Sequence, residues 1–141
     1  MAESTERKRV DTFLESALDS ADQAEELVLN AARELAFREE DLHKLGMAVR
    51  ESIVNAVVHG NRYNRRKKVH LSVLSGADHL SVIIADEGDG FDPASLPDPC
   101  AEHNLLQQSG RGIFLVRAFV DEFEVRRLSP SGTEVRLVKY V

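Results

Sequence analysis

An acid, an amide and an imidazole recur at four-residue intervals in one stretch of the chain. Glu51, Asn55 and His59 would lie on a single face of a helix, because side chains four residues apart stack one turn above another. A carboxylate there could take a proton from an attacking hydroxyl or water, and an amide oxygen could bind Mg²⁺. For this stripe alone, the alternative is an amphipathic helix whose polar residues simply face water.

A segment rich in aspartate and glycine follows a predicted strand. Residues 86–93 read DEGDGFDP. At the end of that strand, Asp86 would offer a hydrogen-bond acceptor to the amino group of a flat base. Gly88 and Gly90 would leave room for the base beside the backbone. In isolation, the segment is more typical of a simple Asp-Gly turn.

Two further glycines stand immediately before a predicted helix. The backbone N–H groups of Gly110, Arg111 and Gly112 would form an anion site there, reinforced by the helix dipole and suited to phosphate. Arg111 could contact a terminal phosphate or could be a solvated charge. One Gly-x-Gly is usually only a turn. The polar stripe, Asp-x-Gly-x-Gly and Gly-x-Gly in this order form a far more specific pattern.

With these motifs the chain resembles the GHKL ATPases, and most closely the anti-sigma-factor serine kinases of bacterial stress and sporulation switches. The stretch from Glu51 to Asn61 is similar to that family's N box. Residues 86–93 and 110–116 are similar to its two glycine boxes. The resemblance extends over roughly residues 9–140 and implies the Bergerat-type ATP-binding fold.

The resemblance implies that ATP and Mg²⁺ are the cofactors. Glu51 would be the catalytic base, and Asn55 would be the magnesium ligand. Thr133 matches the family's threonine that supports the adenine site, although alone it is an ordinary strand residue. At a helix end, His59 is more often structural than in contact with phosphate. The residues expected to bind the cofactors are Asn55, His59, Asp86, Gly88, Gly90, Gly110, Arg111, Gly112 and Thr133.

Two functions are consistent with these motifs. The resemblance implies an ATP-dependent protein serine/threonine kinase that is also an anti-sigma factor. Its partners would be a sigma factor and a serine-bearing antagonist protein in a bacterial partner-switching system. The second hypothesis is a nucleotide-gated protein-binding module with little or no kinase activity. A histidine kinase is disfavoured because no phosphoacceptor dimerisation helices precede the domain, and a homodimer is possible.

The bulk composition limits the other classes of function. The chain has 141 residues, of which 43% are hydrophobic, and its formal net charge is −6. That charge argues against direct binding of nucleic acid. We see no membrane span or secretion signal and therefore expect a cytoplasmic protein. One basic run is an exception: it could be a solvated loop, or it could meet phosphate or an acidic partner. Its cations are Arg62, Arg65, Arg66, Lys67 and Lys68.

Hydrophobic periodicity places the motifs in an α+β fold. We predict a two-layer sandwich, in which a mixed, mostly antiparallel sheet carries helices on one face. The predicted strands lie at about 10–14, 69–73, 80–85, 123–128 and 134–141, and the predicted helices at about 19–37, 39–59 and 112–120. We expect residues 1–8 to be disordered, residues 9–141 to form one ATPase domain, and residues 94–109, with Cys100, to form an ATP lid.

Overall fold

In the part of the chain that the structure describes, a five-stranded sheet carries three helices on one face. The structure is a computed structural model and describes residues 6–88 and 112–141. In chain order the elements are β1 (Glu6–Glu15), α1 (Ser20–Ala32), α2 (Glu39–Asn55), a π-helical turn (Ala56–Gly60), β2 (Lys68–Gly76), β3 (His79–Ala85), α3 (Gly112–Phe119), β4 (Glu122–Arg127) and β5 (Thr133–Tyr140).

Neighbouring strands of this sheet are antiparallel throughout the described residues, in the order β1-β2-β3-β5-β4. β5 therefore lies between β3 and β4, and Ala85 at the end of β3 pairs with Glu134 near the start of β5. This pairing brings Asp86 beside Thr133. The predicted α+β fold class is confirmed, and the position of β5 in the sheet determines which residues meet at the strand ends.

The core lies between the sheet and the helices, because alternate strand residues face the helical layer. Leu45, Val49 and Ile53 repeat at four-residue spacing on α2, and each is at most 1% exposed. Full burial of one such side chain contributes about 1.5–3 kcal/mol. The strand residues in this core include Val69, Leu71, Val73, Leu80, Val82, Ile84 and Leu137. This packing fixes α2 on the sheet and orients its polar face.

Two element boundaries differ from the predicted ones. α1 ends at Ala32 instead of near position 37, because the N–H groups of Glu34 and Leu35 bond to carbonyl groups three residues back and turn the chain. β1 begins at Glu6, so residues 6–8, which were expected to be disordered, belong to the sheet. Lys8 pairs with Ser75 of β2, since an edge strand accepts polar residues.

The second predicted helix is not α-helical to its end. α2 ends at Asn55, and the following π-helical turn closes with a 2.7 Å bond from the N–H of Asn61 to the carbonyl of Ala56, five residues back. A π-helical turn is wider than an α-helical one, so it changes the angular position of His59 relative to Glu51. The prediction of one continuous α-helical stripe is therefore wrong at His59.

Candidate nucleotide-binding site

Glu51 lies on α2 and is half-buried. Within residues 6–88 and 112–141 its carboxylate has neither a hydrogen bond nor an ion pair. The neighbouring cation does not neutralise it, because Arg50 is held by Asp22 at 2.5 Å and Glu25 at 3.0 Å. Glu51 lies one turn, roughly 6 Å, before Asn55 on the same face of α2.

Asn55, the last residue of α2, carries a buried amide nitrogen that has no hydrogen-bond partner among the described residues. Leaving a buried polar group unpaired costs about 1–3 kcal/mol, so this amide is a candidate for binding a ligand. A half-turn about the last side-chain torsion would present the carbonyl oxygen at the same place. That oxygen is the kind of ligand that Mg²⁺ accepts.

Asp86 follows β3 and is only 7% exposed. Its Oδ1 accepts hydrogen bonds from the backbone N–H groups of Gly88 at 3.1 Å and Thr133 at 3.2 Å. Its own N–H donates to the carbonyl of Thr133 at 2.9 Å. No donor among the described residues meets Oδ2. One oxygen of the carboxylate is therefore fixed by backbone N–H groups, and the other has no donor within residues 6–88 and 112–141.

Three glycines from separate segments surround Asp86. A Cβ atom at Gly60 would lie 2.2 Å from Oδ2 of Asp86, and one at Gly88 would lie 1.7 Å from the carbonyl oxygen of Gly60. Gly132 has a φ of 109°, and a Cβ there would lie 2.3 Å from the carbonyl oxygen of Asp86. No side chain fits at these positions, so the absence of Cβ atoms lets the π-helical turn and the turn before β5 pack directly against Asp86 and its neighbours. The role expected for Gly88, room for a flat base beside the backbone, stays a prediction, and no local signal in the sequence pointed to the contacts of Gly60 and Gly132.

Burial raises the pKa of Asp86 to about 6, and the N–H groups of Gly88 and Thr133 oppose that rise. Two nearby charges act in opposite directions: Lys67 lowers this pKa and Glu87 raises it. At neutral pH the carboxylate is mostly ionised, and either oxygen can accept a hydrogen bond. Below about pH 6 it gains a proton and becomes partly a donor.

Asn61 connects the π-helical turn to three other parts of the fold. It is 2% exposed, and its amide nitrogen donates to Oγ of Ser16 at 2.9 Å and to the carbonyl of Lys68 at 3.0 Å. Its amide oxygen accepts from the N–H of Glu87 at 2.8 Å. These bonds use both donor hydrogens, which indicates a structural role. The only signal in the sequence for this structural role of Asn61 was its position directly after Gly60, which ends the helix.

Some of the other predicted site residues can be located. Thr133 is 3% exposed at the start of β5, and His59 is half-buried in the π-helical turn. Gly112 is the first residue of α3, which packs against α2. Gly90, Gly110 and Arg111 lie outside the described residues, as does the predicted lid at 94–109. Their roles stay predictions.

Comparison with known proteins identifies the family. A family model described as a histidine kinase-like ATPase domain matches residues 14–139. The serine-protein kinase RsbW of Bacillus velezensis is 35% identical over 118 residues, which cover 78% of this chain and 71% of that protein. The chain belongs to the histidine kinase-like ATPases, in the anti-sigma-factor kinase family. An anti-sigma F factor of Bacillus thuringiensis is also similar, at 32% identity over 105 residues, covering 72% of this chain and 71% of that protein.

The fold of this ATPase family member also matches a solved structure. The crystal structure of the RsbU and RsbW domains of Rv1364c from Mycobacterium tuberculosis aligns with a TM-score of 0.67 and 14% identity. The alignment covers 95% of this chain and 32% of that chain, so this chain corresponds to about a third of the longer protein. Among the described helices of this chain, none has the length and apolar character needed to cross a membrane.

Proposed function

We propose that this protein is an ATP-dependent protein serine/threonine kinase that is also an anti-sigma factor. The observation that carries the proposal is the buried Asp86 carboxylate, whose Oδ1 accepts from two backbone N–H groups while no donor among the described residues meets Oδ2. Such an acceptor at a strand end fits the amino group of adenine. The names of the similar proteins, serine-protein kinase and anti-sigma F factor, support the kinase and anti-sigma roles.

The nucleotide would be bound along the line from β3 to the polar face of α2. Adenine would donate to Asp86 above Gly88, and Thr133 would hold that carboxylate in place. The phosphates would reach the N-terminus of α3 at Gly112, where backbone N–H groups and the helix dipole favour anions. The remaining residues of the proposed site are His59, Gly90, Gly110 and Arg111.

Asn55 would hold Mg²⁺ through its amide oxygen. The buried and unpaired amide fits that role. Mg²⁺ would draw its other ligands from the phosphates and water. When bound, Mg²⁺ supplies positive charge that neutralises the phosphates.

Glu51 would act as the general base toward the antagonist protein. In the transfer step, the serine hydroxyl oxygen forms a bond to the γ-phosphorus, the bond from that phosphorus to the β,γ-bridging oxygen breaks, and ADP leaves. The hydroxyl proton passes to the unpaired carboxylate of Glu51. Between transfers the same protein would bind the sigma factor, and phosphorylation of the antagonist would control which partner it holds.

Two substitutions on α2 test this function. Glu51→Gln keeps size and polarity but removes the base, so phosphotransfer to a serine-bearing antagonist should fall by about 10²–10⁴ with ATP affinity nearly unchanged. Asn55→Ala should lower ATP affinity and transfer together, and excess Mg²⁺ should partly restore both. Glu39→Gln, at an exposed position of the same helix, is the control and should change neither.

Calorimetry with ATP and a radiolabel transfer assay measure the two quantities. A parental transfer rate in Glu51→Gln would remove Glu51 from catalysis. If the parental protein binds ATP tightly but transfers no phosphate, the nucleotide-gated binding module becomes the better description. Loss of ATP binding in Glu51→Gln would instead indicate that this carboxylate holds the nucleotide.

A further inference from the structure

A cationic loop leaves the candidate site directly after the π-helical turn. Residues 62–68, here named the basic loop, contain five basic residues and no acid in a chain of net charge −6. Arg62, Arg65 and Arg66 are exposed, and Lys67 and Lys68 are half-buried. Within the described part of the chain, none of the five side chains has an ion pair. Elsewhere a carboxylate lies within 4.0 Å of Lys8, Arg9, Arg38, Arg50, Arg126, Arg136 and Lys139.

Hydrogen bonds hold the backbone of the basic loop in one conformation. The N–H of Tyr63 donates to Val57 at 2.9 Å, and the N–H of Lys67 donates to Asn64 at 3.0 Å. The Oδ1 of Asn64 accepts from the N–H of Arg66 at 2.9 Å. The loop therefore presents its cations from a preorganised backbone, and a partner that binds them need not order it.

Two consecutive residues of the basic loop adopt a left-handed conformation that is unfavourable for side chains with a Cβ atom. Arg62 has a φ of 52° and Tyr63 a φ of 61°. Such strain is typical of functional segments. Here it accompanies a tyrosine that is 50% exposed among exposed arginines. Tyr and Arg are the residue types most enriched at the energetic centres of protein interfaces.

Both ends of the basic loop are attached beside the adenine end of the site. Asn61, before the loop, accepts from the N–H of Glu87, and the N–H of Lys68 donates to Oε2 of Glu87 at 3.1 Å. Glu87 directly follows Asp86. Gly60, where the loop departs, is nine residues after Glu51, at the far end of the π-helical turn. A molecule bound to the loop would lie near the nucleotide but away from the proposed base.

We propose that the basic loop is a docking surface for an acidic segment of the protein substrate. This inference rests on the proposed kinase function for the identity of the partner. The net negative charge of the chain disfavours an acidic partner on average, whereas the five cations of the loop attract one, so the loop would fix both the site and the orientation of docking. The same negative charge disfavours the phosphate backbone of a nucleic acid, which needs a more extended basic surface.

Neutralisation of two loop cations tests the proposal. Arg65→Ala/Arg66→Ala removes two exposed charges, and Arg33→Ala/Arg38→Ala is a control with the same charge change at exposed positions on the helical layer. Arg65→Lys/Arg66→Lys keeps the charge. The first readout is binding of fluorescein-labelled polyglutamate to the free protein, and the second is KM and kcat for phosphotransfer to the antagonist.

We expect Arg65→Ala/Arg66→Ala to weaken polyglutamate binding and to raise KM for the antagonist by about tenfold, with kcat and ATP affinity unchanged. The lysine variant should restore both, and the control should match the parental protein. Unchanged polyglutamate binding and KM, or an equal effect in the control, would overturn the proposal. Tighter binding of a DNA duplex than of polyglutamate would assign the loop to nucleic acid instead. If the parental protein transfers no phosphate, the proposed kinase function fails. Polyglutamate binding would still show whether the basic loop binds an acidic segment.

Discussion

Gly60 and Asp86 are in direct contact, although 25 residues separate them along the chain. A Cβ atom at Gly60 would lie 2.2 Å from Oδ2 and 2.4 Å from Cγ of the carboxyl group. The end of the helical segment after α2 therefore sets the position of the carboxylate that follows β3. This contact joins the π-helical turn to the segment after β3. It can be tested by adding one methyl group at Gly60.

Gly60→Ala should lower ATP affinity by at least about tenfold, because the new methyl group must displace the Asp86 carboxylate or the π-helical turn. Gly46→Ala on α2 is the matched control. A Cβ there would lie 2.8 Å from Oε2 of Glu25, the end of a flexible side chain that can move. Calorimetric titration with ATP measures both, and equal affinities for the two variants would show that Gly60 is not part of the site.

Asp86→Asn should weaken ATP and ADP binding equally, by about 1–3 kcal/mol. One oxygen must still accept from the N–H groups of Gly88 and Thr133, which leaves the amide nitrogen facing the ligand as a donor. A donor cannot pair with the adenine amino group. Competition with a fluorescent nucleotide measures both affinities. Unchanged affinities would contradict the adenine role. A loss of affinity for ATP alone would indicate that Asp86 contacts the phosphates instead of adenine.

ATP affinity should rise with pH through about 6, as Asp86 loses the proton that burial retains. Stability should change in the opposite direction. Burial raises the pKa of Asp86 from 3.8 to about 6, so the unfolded chain ionises first and the free energy of unfolding falls by about 2–3 kcal/mol as pH rises from 4 to 6. Both trends should disappear in Asp86→Asn.

Calorimetry and urea unfolding across pH 4 to 7.5 check these trends, and His59→Gln separates any contribution from the imidazole in the π-helical turn. Persistence of both trends in Asp86→Asn would assign them to another group.

Asn61→Ala should lower the free energy of unfolding by about 1–3 kcal/mol, because it leaves the part-buried N–H of Glu87 and the part-buried carbonyl of Lys68 without their partner. Asn64→Ala, in the exposed loop that follows, is the control and should cost less than about 1 kcal/mol. Urea denaturation gives both values. Similar losses for the two variants would mean that Asn61 does not connect these elements.

Residues that act through local geometry were predictable from the sequence. Asp86 at a strand end and Thr133 at the start of another strand lie where the pattern placed them, because strand alternation and turn residues are read over a few positions. The change from α-helical to π-helical hydrogen bonding after Asn55 was not predictable. Ala56 and Val57 continue the apolar period of α2, so no residue signals the change to five-residue hydrogen bonding.

Contacts between distant segments could not be predicted in the same way. Gly60 and Gly132 are separated by 72 positions, and their shared role beside Asp86 depends on β5 lying between β3 and β4. A glycine at a helix end and another in a turn have ordinary local explanations. Gly60 and Gly132 both lie beside Asp86 only because of the sheet order and the approach of the π-helical turn to the strand ends.

The close packing of Gly60, Gly88 and Gly132 around Asp86 also limits which mutations could make this protein resistant to an inhibitor of the site. A compound seated against Gly88 would contact backbone, and the usual route to resistance is a larger side chain at the contact. At Gly88 the first added carbon would lie 1.7 Å from the carbonyl oxygen of Gly60. Any substitution that excluded the compound there would also displace the carbonyl of Gly60, and with it the Asp86 carboxylate that we propose as the acceptor for adenine.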